Sequence, residues 1–301
     1  MLKKKVDCII QARMGSSRLP GKIFLEVNKT PLLQYLIDRV KKINSINRII
    51  ISTSTKVEDK KIVRFAKNNK IDYFQGDEKN VLDRIYKTAK FFKSSNILFI
   101  TSDCPIFDIH IADQIINTYK NNNCDYVNNN HIKSYPDGMD IQIFSFKILH
   151  DAWKKAKSLL EKEHVTLYIR KNLNKYKFIN IVAPQKLFWP KLGLTIDEYA
   201  DYILIKKIIT YFVKKNDIFF SCEDIVNFLG LGKLSNMPHE PAETKIETLN
   251  FMDILKFQKK IFLAIIKRVI YRIKILLSSD LKKKFQVIFK LKREVNSKEI
   301  K

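Results

Sequence analysis

Short apolar runs alternate with amphipathic segments along the first half of the chain. The runs are rich in β-branched residues and predict strands, whereas the segments between them carry apolar residues at helical spacing. The predicted strands are Val6–Ala12, Arg48–Ser52, Ile71–Phe74 and Asn96–Thr101. The predicted helices are Pro31–Ile43, Glu58–Asn68, Asn80–Phe92 and Ile109–Lys120. This alternation favours an α/β fold with a mostly parallel central sheet and helices on both faces.

The second half of the globular region shows a mixed pattern, which indicates an extension of the sheet. The predicted strands are Asp125–Asn128, Asp140–Phe146, Lys177–Val182 and Lys191–Ile196. The predicted helices are Lys147–Ala156, His164–Leu173 and Tyr199–Val213. Ser221 is a candidate cap for a last helix. Because Gly230, Gly232 and Pro238 then interrupt the pattern, we place a globular domain at residues 1–238 and a tail at 239–301.

The tail is strongly basic. Between Leu255 and Arg293 it contains thirteen lysines or arginines and one acid, Asp280. Apolar residues at helical spacing line one side of a predicted helix, opposite most of these cations: Phe262, Ile266, Val269, Ile273 and Leu276. Such a helix is typical of binding to an anionic membrane surface. Docking onto the same chain or onto a dimer partner is the alternative, and nucleic acid is the least favoured partner.

Charge and cysteine content narrow the class of protein. The formal net charge of +25 suggests anionic partners, with a merely solvated lysine-rich surface as the alternative. The cysteines lie far apart, at Cys8, Cys104, Cys124 and Cys222, which argues against a zinc site and a disulfide framework. The apolar run after Lys5 is too short for a secretory signal. We therefore expect a cytoplasmic protein that contacts the inner face of the membrane through its tail.

The most informative segment is QARMGSSRLPGK, a loop that follows the first predicted strand. Its candidate binding residues are Gln11, Ala12, Arg13, Gly15, Ser16, Arg18 and Lys22. Small residues let backbone N–H groups approach phosphate oxygens, and the cations offset phosphate charge. The loop is not a Walker loop, because Ile23 stands where that motif requires Ser or Thr. Its composition favours phosphate binding over a merely solvated loop.

Two aspartates follow predicted strands at the edge where such sheets bind ligands. Asp103 follows the strand that ends at Thr101, and Asp197 follows the strand that ends at Ile196. Mg²⁺ takes one or two carboxylates together with phosphate oxygens, so both aspartates are candidate ligands for Mg²⁺, with Mn²⁺ as a substitute. The alternative for each is a helix cap, although Asp108 is better placed than Asp103 to cap the helix that follows.

Three further polar segments follow in the chain. Gly76 and Asp77 form a turn after a strand, where they can contact a base or a ribose. The segment from Tyr135 to Asp140 is a polar turn that enters a strand. His164 begins a predicted helix with an acid before it, and a structural histidine is the alternative.

These motifs occur in a familiar order. QARMGSSRLPGK, GDEKNVLDR, TSDCP, YPDGMDIQIFS, KEHVT and LTID follow one another between residues 5 and 230. Together they resemble the cytidylyltransferase family typified by spore coat polysaccharide biosynthesis protein F, which is related to the CMP-sugar-acid synthetases for 3-deoxy-octulosonate and acylneuraminate. The resemblance implies a Rossmann-like nucleotide-diphosphosugar transferase fold, and it does not extend into the tail.

The resemblance also implies roles for individual residues. Those implied to bind the nucleotide are Gln11, Ala12, Arg13, Gly15, Ser16, Arg18, Lys22, Gly76, Asp77 and Asp103. Within that set, Arg13, Lys22 and Asp103 are implied to be catalytic, and Asp103 and Asp197 are implied to hold the metal. Those implied to face the acceptor are Tyr135, Asp137, Gly138, Asp140 and His164.

We therefore hypothesise a Mg²⁺-dependent nucleotidyltransferase that uses CTP, releases pyrophosphate and converts a sugar acid or related anionic acceptor for surface polysaccharide into its CMP derivative. A homodimer is compatible with this hypothesis. One alternative is a glycosyltransferase of the same broad fold, although Asp103 is followed by Cys104 and Pro105 and not by the second acid of an Asp-x-Asp metal motif. The other is a non-enzymatic, membrane-peripheral adaptor with a nucleotide-binding head.

Overall fold

A seven-stranded sheet organises residues 5–231, which are the residues that this computed structural model describes. The strands are β1 (Val6–Gln11), β2 (Glu26–Val27), β3 (Thr30–Pro31), β4 (Ile46–Ser54), β5 (Asp72–Gly76), β6 (Asn96–Thr101), β7 (Tyr126–Asn128), β8 (Gln142–Ser145) and β9 (Phe178–Asn180). The helices are α1 (Leu32–Lys41), α2 (Lys60–Asn68), α3 (Val81–Phe91), α4 (Ile109–Asn121), α5 (Phe146–Lys155), α6 (Leu159–Glu163), α7 (Leu167–Lys171), α8 (Tyr199–Val213) and α9 (Cys222–Phe228). Short 3₁₀ turns lie at Lys22–Phe24, Leu173–Lys175 and Gln185–Leu187.

The described residues belong to the first of two units into which the chain divides, Met1–Met237 and Pro238–Lys301. The predicted tail helix lies outside the described residues. Among the helices that the structure describes, none combines the length and the apolar character needed to cross a bilayer.

The large sheet is parallel in one half and mixed in the other. Its strand order is β5-β4-β1-β6-β8-β7-β9, with β2 and β3 forming a separate hairpin. Strands β1, β4, β5 and β6 are parallel, whereas β8 is antiparallel to both β6 and β7. As a result, the ends of β1, β6 and β7 and the start of β8 share one edge, which carries Gln11, Thr101, Asn128 and Gln142. This is the edge at which α/β sheets bind ligands.

Successive residues of the central strands supply two apolar layers. Ile10 and Leu98 pack into the layer formed with α1, α2, α4, α8 and α9. Ile9 and Phe99 pack into the layer formed with α3, α5 and α7. Strands that are covered on both faces need apolar residues at every position, which explains the continuous runs in the sequence. The predicted α/β fold with helices on both faces is confirmed.

One predicted strand is wrong. Residues 191–196 form no regular strand, because their backbone groups bond to two loops instead of to a neighbouring strand. The N–H of Leu194 donates to the carbonyl oxygen of Asp137 at 2.7 Å, and the N–H of Ile196 donates to that of Asp103 at 2.9 Å. Buried backbone groups need partners, and loop carbonyls satisfy them as well as a strand does. An apolar run in the sequence therefore does not distinguish a regular strand from a segment whose backbone bonds to loops.

The predicted start of a helix at His164 is also wrong. In the structure α6 ends at Glu163, His164 is its C-cap, and α7 begins at Leu167. Ser158 caps α6 in a reciprocal capping box with Glu161. The hydrophobic pattern misses α6 because the helix is short and its apolar residues, Leu159 and Leu160, are exposed and mark no buried face.

A close backbone approach at Gly138 generates the first prediction. Gly138 has a φ of +101°, and a Cβ atom there would lie 2.6 Å from the carbonyl carbon of Leu194. We therefore expect Gly138→Ala to lower the free energy of unfolding by about 2–4 kcal/mol, measured by urea denaturation.

Gly193→Ala is the matched control for this substitution. Gly193 lies across an isolated bridge from Asp137, and a Cβ atom at Gly193 would meet nothing within 4 Å. If both variants lose stability equally, the close approach at Gly138 is not the cause.

Candidate nucleotide-binding site

The basic loop folds back on itself at the carboxyl end of β1. The carbonyl oxygen of Met14 accepts the backbone N–H groups of Ser16 at 3.0 Å and of Gly21 at 2.9 Å. Gly21 has a φ of 70°, a left-handed conformation that glycine adopts without strain. The 3₁₀ turn that follows begins with Lys22, whose side chain is 12% exposed. The loop geometry therefore buries one of its cations.

A buried carboxylate anchors this loop to the neighbouring strand. Asp59 is 1% exposed, and its Oδ1 atom accepts the N–H of Met14 at 2.7 Å. Its Oδ2 atom accepts the N–H of Ser54, the last residue of β4, at 3.1 Å. The sequence pattern does not single out Asp59, because the residue lies inside a predicted helix where an acid is ordinary. In the structure its side chain makes no capping bond to α2.

The remaining predicted residues of the loop occupy the same edge of the sheet. Gln11 ends β1, and Ala12 is buried directly after it. The hydroxyl oxygen of Ser16 accepts the N–H of Leu19 at 3.4 Å within the loop. A Cβ atom on Gly15 would lie 3.3 Å from a carboxylate oxygen of Glu78. Gly15 therefore lets the loop approach the turn after β5.

The two predicted metal-binding aspartates meet around a lysine. The ammonium nitrogen of Lys22 lies 3.2 Å from Oδ2 of Asp103 and 3.0 Å from Oδ1 of Asp197. The hydroxyl of Thr101 donates to Oδ1 of Asp103 at 2.6 Å. Asp103 and Asp197 lie far apart in the sequence, and the fold brings their carboxylates together around Lys22. A cation between them offsets their mutual repulsion.

Neither aspartate is occupied as a helix cap, so that alternative is excluded. Asp201 reaches back from α8, and its Oδ2 atom accepts the N–H groups of Asp197 at 3.0 Å and of Glu198 at 2.9 Å. Asp108 accepts the first N–H groups of α4, as the sequence predicts. The carboxylates of Asp103 and Asp197 are thereby left to face each other.

The two arginines of the loop make exposed ion pairs. Arg13 lies 3.9 Å from Glu163, and Arg18 lies 3.4 Å from Asp197 and 3.2 Å from Glu198. Exposed pairs of this kind contribute little to stability. Both guanidinium groups can therefore exchange these partners for an anionic ligand.

The turn at Gly76 and Asp77 is held by a buried arginine. Arg84 donates to the carbonyl oxygen of Asp77 at 2.6 Å, and a Cβ atom on Gly76 would lie 3.0 Å from Cγ of Arg84. Burial, with a smaller effect from Arg13, lowers the pKa of Arg84 to about 10. The carboxylate of Asp77 accepts the N–H groups of Asn80 and Lys79, and these bonds, chiefly that of Asn80, hold the pKa of Asp77 below its usual value. Its side chain thus shapes the turn.

On the predicted acceptor side, Asp137 and Asp140 lie close to the carboxylate pair. The N–H of Asp137 donates to the carbonyl oxygen of Leu192 at 2.8 Å, which joins it to the segment leading to Asp197. Burial, followed by the neighbouring charge of Asp137, raises the pKa of Asp140. Both aspartates also act on Cys104, whose pKa is raised mainly by burial and then by Asp103.

Tyr135 and His164 are placed differently from the other predicted acceptor residues. Tyr135 is 4% exposed within the core, and burial, with smaller effects from Cys222 and Asp108, raises its pKa to about 12. His164 is exposed at the end of α6. The contact between α6 and the basic loop is made by the neighbouring Glu163, through Arg13.

Strand order and the basic loop at the carboxyl edge define a nucleotide-binding α/β protein. A family model described as cytidylyltransferase matches residues 8–238. The chain therefore belongs to the cytidylyltransferase family, and its general chemistry is CTP-dependent cytidylyl transfer.

Similar sequences agree with this assignment. The chain is 36% identical over 208 residues to an uncharacterized protein of Methanocaldococcus jannaschii, covering 69% of this chain and 84% of that protein. It is 31% identical over 226 residues to the spore coat polysaccharide biosynthesis protein SpsF of Bacillus subtilis, covering 73% of this chain and 92% of that protein.

Solved structures confirm the Rossmann-like fold. A cytidylyltransferase from Leptospira borgpetersenii superposes with a TM-score of 0.70 at 29% identity, covering 79% of this chain and 99% of that one. A CMP:2-keto-3-deoxy-manno-octonic acid synthetase superposes with a TM-score of 0.52 at 14% identity, covering 69% of this chain and 99% of that one. The second likeness concerns the fold alone.

The anchor at Asp59 generates the second prediction. Asp59→Asn replaces one accepting oxygen by an amide that cannot accept, so the loop loses part of its attachment. We expect the free energy of unfolding to fall by ~1–3 kcal/mol and the amide of Met14 to exchange faster with deuterium.

The control is Glu58→Gln, because Glu58 is half exposed and its ion pair with Lys56 spans 3.9 Å. If the backbone amide of Met14 exchanges with deuterium at the same rate in Asp59→Asn as in the unchanged chain, other contacts hold the loop.

Proposed function

We propose that this protein converts a sugar acid, or a related anionic acceptor, into its CMP derivative with release of pyrophosphate, for surface polysaccharide biosynthesis. The observation that carries the proposal is the meeting of Lys22, Asp103 and Asp197 beside the basic loop. The acceptor class is supported by relatives named as a spore coat polysaccharide biosynthesis protein and as 3-deoxy-manno-octulosonate cytidylyltransferases.

The triphosphate would lie against the basic loop. Arg13 and Arg18 would leave their exposed carboxylate partners, at 3.9 Å and 3.4 Å, for phosphate oxygens. Lys22 would also leave its carboxylate partners for phosphate oxygens, because the nucleotide brings its own negative charge to the carboxylate pair. Arginine can bind phosphate with two parallel hydrogen bonds, whereas lysine acts as a point charge. Gly15 and Ser16 supply the small residues that let the backbone approach.

The carboxylate pair fits a divalent cation. Lys22 already places a positive charge between Asp103 and Asp197. Among the described residues no cluster of three or more metal-binding side chains occurs, and Mg²⁺ needs none, since it takes one or two carboxylates and completes its shell with phosphate oxygens and water. Asp103 and Asp197 would hold Mg²⁺ or Mn²⁺, which when bound would neutralise phosphate charge.

The reaction is an in-line displacement. An oxygen of the acceptor forms a bond to the α-phosphorus of CTP, and the bond from that phosphorus to the oxygen that bridges to the β-phosphorus breaks. Where the attacking oxygen is a hydroxyl, its proton passes to solvent. Pyrophosphate leaves with the electron pair, and Arg13 and Lys22 stabilise the charge that develops on it. The protein therefore contributes mainly position and charge compensation.

The third prediction tests this function. The protein is incubated with each nucleoside triphosphate, with Mg²⁺, Mn²⁺ or EDTA, and with a panel of sugar acids that includes 3-deoxy-manno-octulosonate. We expect pyrophosphate release with CTP and a divalent ion, and a fall in kcat of about 100-fold or more for Asp103→Asn, since a metal ligand is lost.

Asp72→Asn is the control, because Asp72 is exposed and pairs with Arg48 at 3.6 Å, outside the site. No release with any nucleotide, together with no CTP binding, would refute the function. Hydrolysis of a UDP- or GDP-sugar would favour a glycosyltransferase instead, and unchanged turnover in Asp103→Asn would refute the metal role.

The basic tail, residues 255–293, would bind the anionic inner face of the membrane, and this part of the proposal rests on sequence alone. The fourth prediction uses the full chain with Lys267, Arg268 and Arg272 all changed to Glu. Each basic residue contributes about 1 kcal/mol near an anionic surface, so this variant should no longer float with phosphatidylglycerol vesicles.

The control reverses the charge of three exposed lysines of the described domain: Lys60, Lys90 and Lys207. It should float like the unchanged chain. Equal flotation of both variants would show that the tail is not the membrane contact.

A further inference from the structure

A row of buried polar side chains lies at the sheet edge beyond the nucleotide loop. Asn128 ends β7 and pairs in register with Gln142, the first residue of β8. The hydroxyl of Tyr126 donates to Oε1 of Gln142 at 2.6 Å. Tyr126 and Phe144 place this face of β7 and β8 in the layer under α7, where Thr166 and Arg170 lie near Tyr126. Polar residues thus replace apolar ones where this layer reaches the edge.

Three of these side chains have polar atoms without a partner. Oδ1 of Asn128 accepts the N–H groups of Asn130 at 3.1 Å and of His131 at 2.8 Å, which fixes the amide orientation and leaves Nδ2 unpaired. Nδ2 of Asn130 donates to Asp140 at 3.3 Å and leaves Oδ1 unpaired. Nε of Arg170 is also enclosed and unpaired. Unpaired buried polar atoms are costly, so a native structure that retains them needs a reason.

Arg170 carries a positive charge that is not committed to an ion pair. Within residues 5–231, its guanidinium has neither a salt bridge nor a hydrogen bond, although the side chain is partly exposed and can be reached from solvent. Its electrostatic neighbours include Asp140, Tyr126 and His131. Burial raises the pKa of Asp140, and the charge of Arg170 acts in the opposite direction.

Two connections join the row of polar side chains to the nucleotide site. Glu163, at the end of α6, lies 3.9 Å from Arg13 of the basic loop, and α7 follows directly. On the other side, Asp140 belongs to the turn whose Asp137 bonds to the segment before Asp197. The polar row is therefore connected to the basic loop through α6 and to the segment before Asp197 through the turn of Asp137, and it lies in the layer of α3, α5 and α7.

We propose that Asn128, Asn130 and Arg170 form the acceptor subsite, with Arg170 binding an anionic group of a polyhydroxylated acceptor. The inference rests on the proposed function and specifies its substrate class. The terminal guanidinium nitrogens of Arg170, which are not enclosed, supply donors for carboxylate or phosphate oxygens. Nδ2 of Asn128, Oδ1 of Asn130 and Nε of Arg170 have almost no accessible surface, so they bind the acceptor only after these side chains shift. Mixed unpaired donors and an acceptor match a sugar acid or sugar phosphate, because such a molecule presents both kinds of group.

The test measures binding of matched ligands to the CTP-loaded full chain by calorimetry. The pairs are 3-deoxy-manno-octulosonate with its methyl ester, glucuronate with glucose, and glucose 6-phosphate with glucose. We expect at least one anion to bind about tenfold or more tightly than its neutral counterpart, and Arg170→Met to abolish that difference. The carboxylate and phosphate pairs show which anion the subsite takes.

Lys171→Met is the matched control, because it removes the adjacent cation of α7, whose ammonium pairs with Glu161 at 3.1 Å. It should leave the preference intact, and Arg170→Lys should retain part of it. Unchanged CTP affinity and thermal midpoint show that Arg170→Met is folded. If no anion is preferred, or if the preference survives in Arg170→Met, the unpaired atoms bind a structural water only and the subsite is refuted.

The two proposals fail in distinguishable ways. Loss of CTP binding by the unchanged chain would refute the proposed function itself. CTP binding and pyrophosphate release without discrimination between anionic and neutral acceptors would retain nucleotidyl transfer and overturn the anion subsite alone.

Discussion

The ammonium group of Lys22 lies between the carboxylates of Asp103 and Asp197, and the site depends on this balance of charge. Two carboxylates that face each other at a partly buried sheet edge repel unless a cation lies between them. The three residues come from separate segments, the loop after β1, the turn after β6 and the approach to α8. Under the proposed function, a bound divalent ion would take over this compensation and release Lys22 to the phosphates.

Backbone hydrogen bonds hold this arrangement where regular sheet structure ends. Residues 191–196 bond to Asp137 and Asp103, and the acid of Asp201 reaches back to the N–H of Asp197. On the other side of the site, Asp59 ties the basic loop to β4. Asp201 thus makes the structural bonds at the start of α8, and the carboxylate of Asp197 remains beside Lys22.

Two polar regions lie along one edge of the sheet, the basic loop and the row that contains Asn128, Asn130 and Arg170. On the proposed nucleotide side, Arg13 and Arg18 are in exposed ion pairs, which would exchange for phosphate at small cost. On the proposed acceptor side, Asn128 and Asn130 are buried and Arg170 is partly exposed, and each carries a polar atom that has no partner among the described residues.

The sequence by itself determined the strands and helices of the α/β core, the basic loop and the caps at Asp108 and Ser221, because hydrophobic period, glycine and capping chemistry act over a few residues. It also placed Asp103 and Asp197 at strand-like ends, although residues 191–196 are not a strand. Only the tertiary structure decided that Lys22 lies between them, that Asp59 anchors the loop and that Asp77 shapes its own turn. It likewise put Tyr135 into the core and, within residues 5–231, left Arg170 outside any ion pair. These outcomes depend on which distant segments meet at a sheet edge, and local spacing carries no information about such partners.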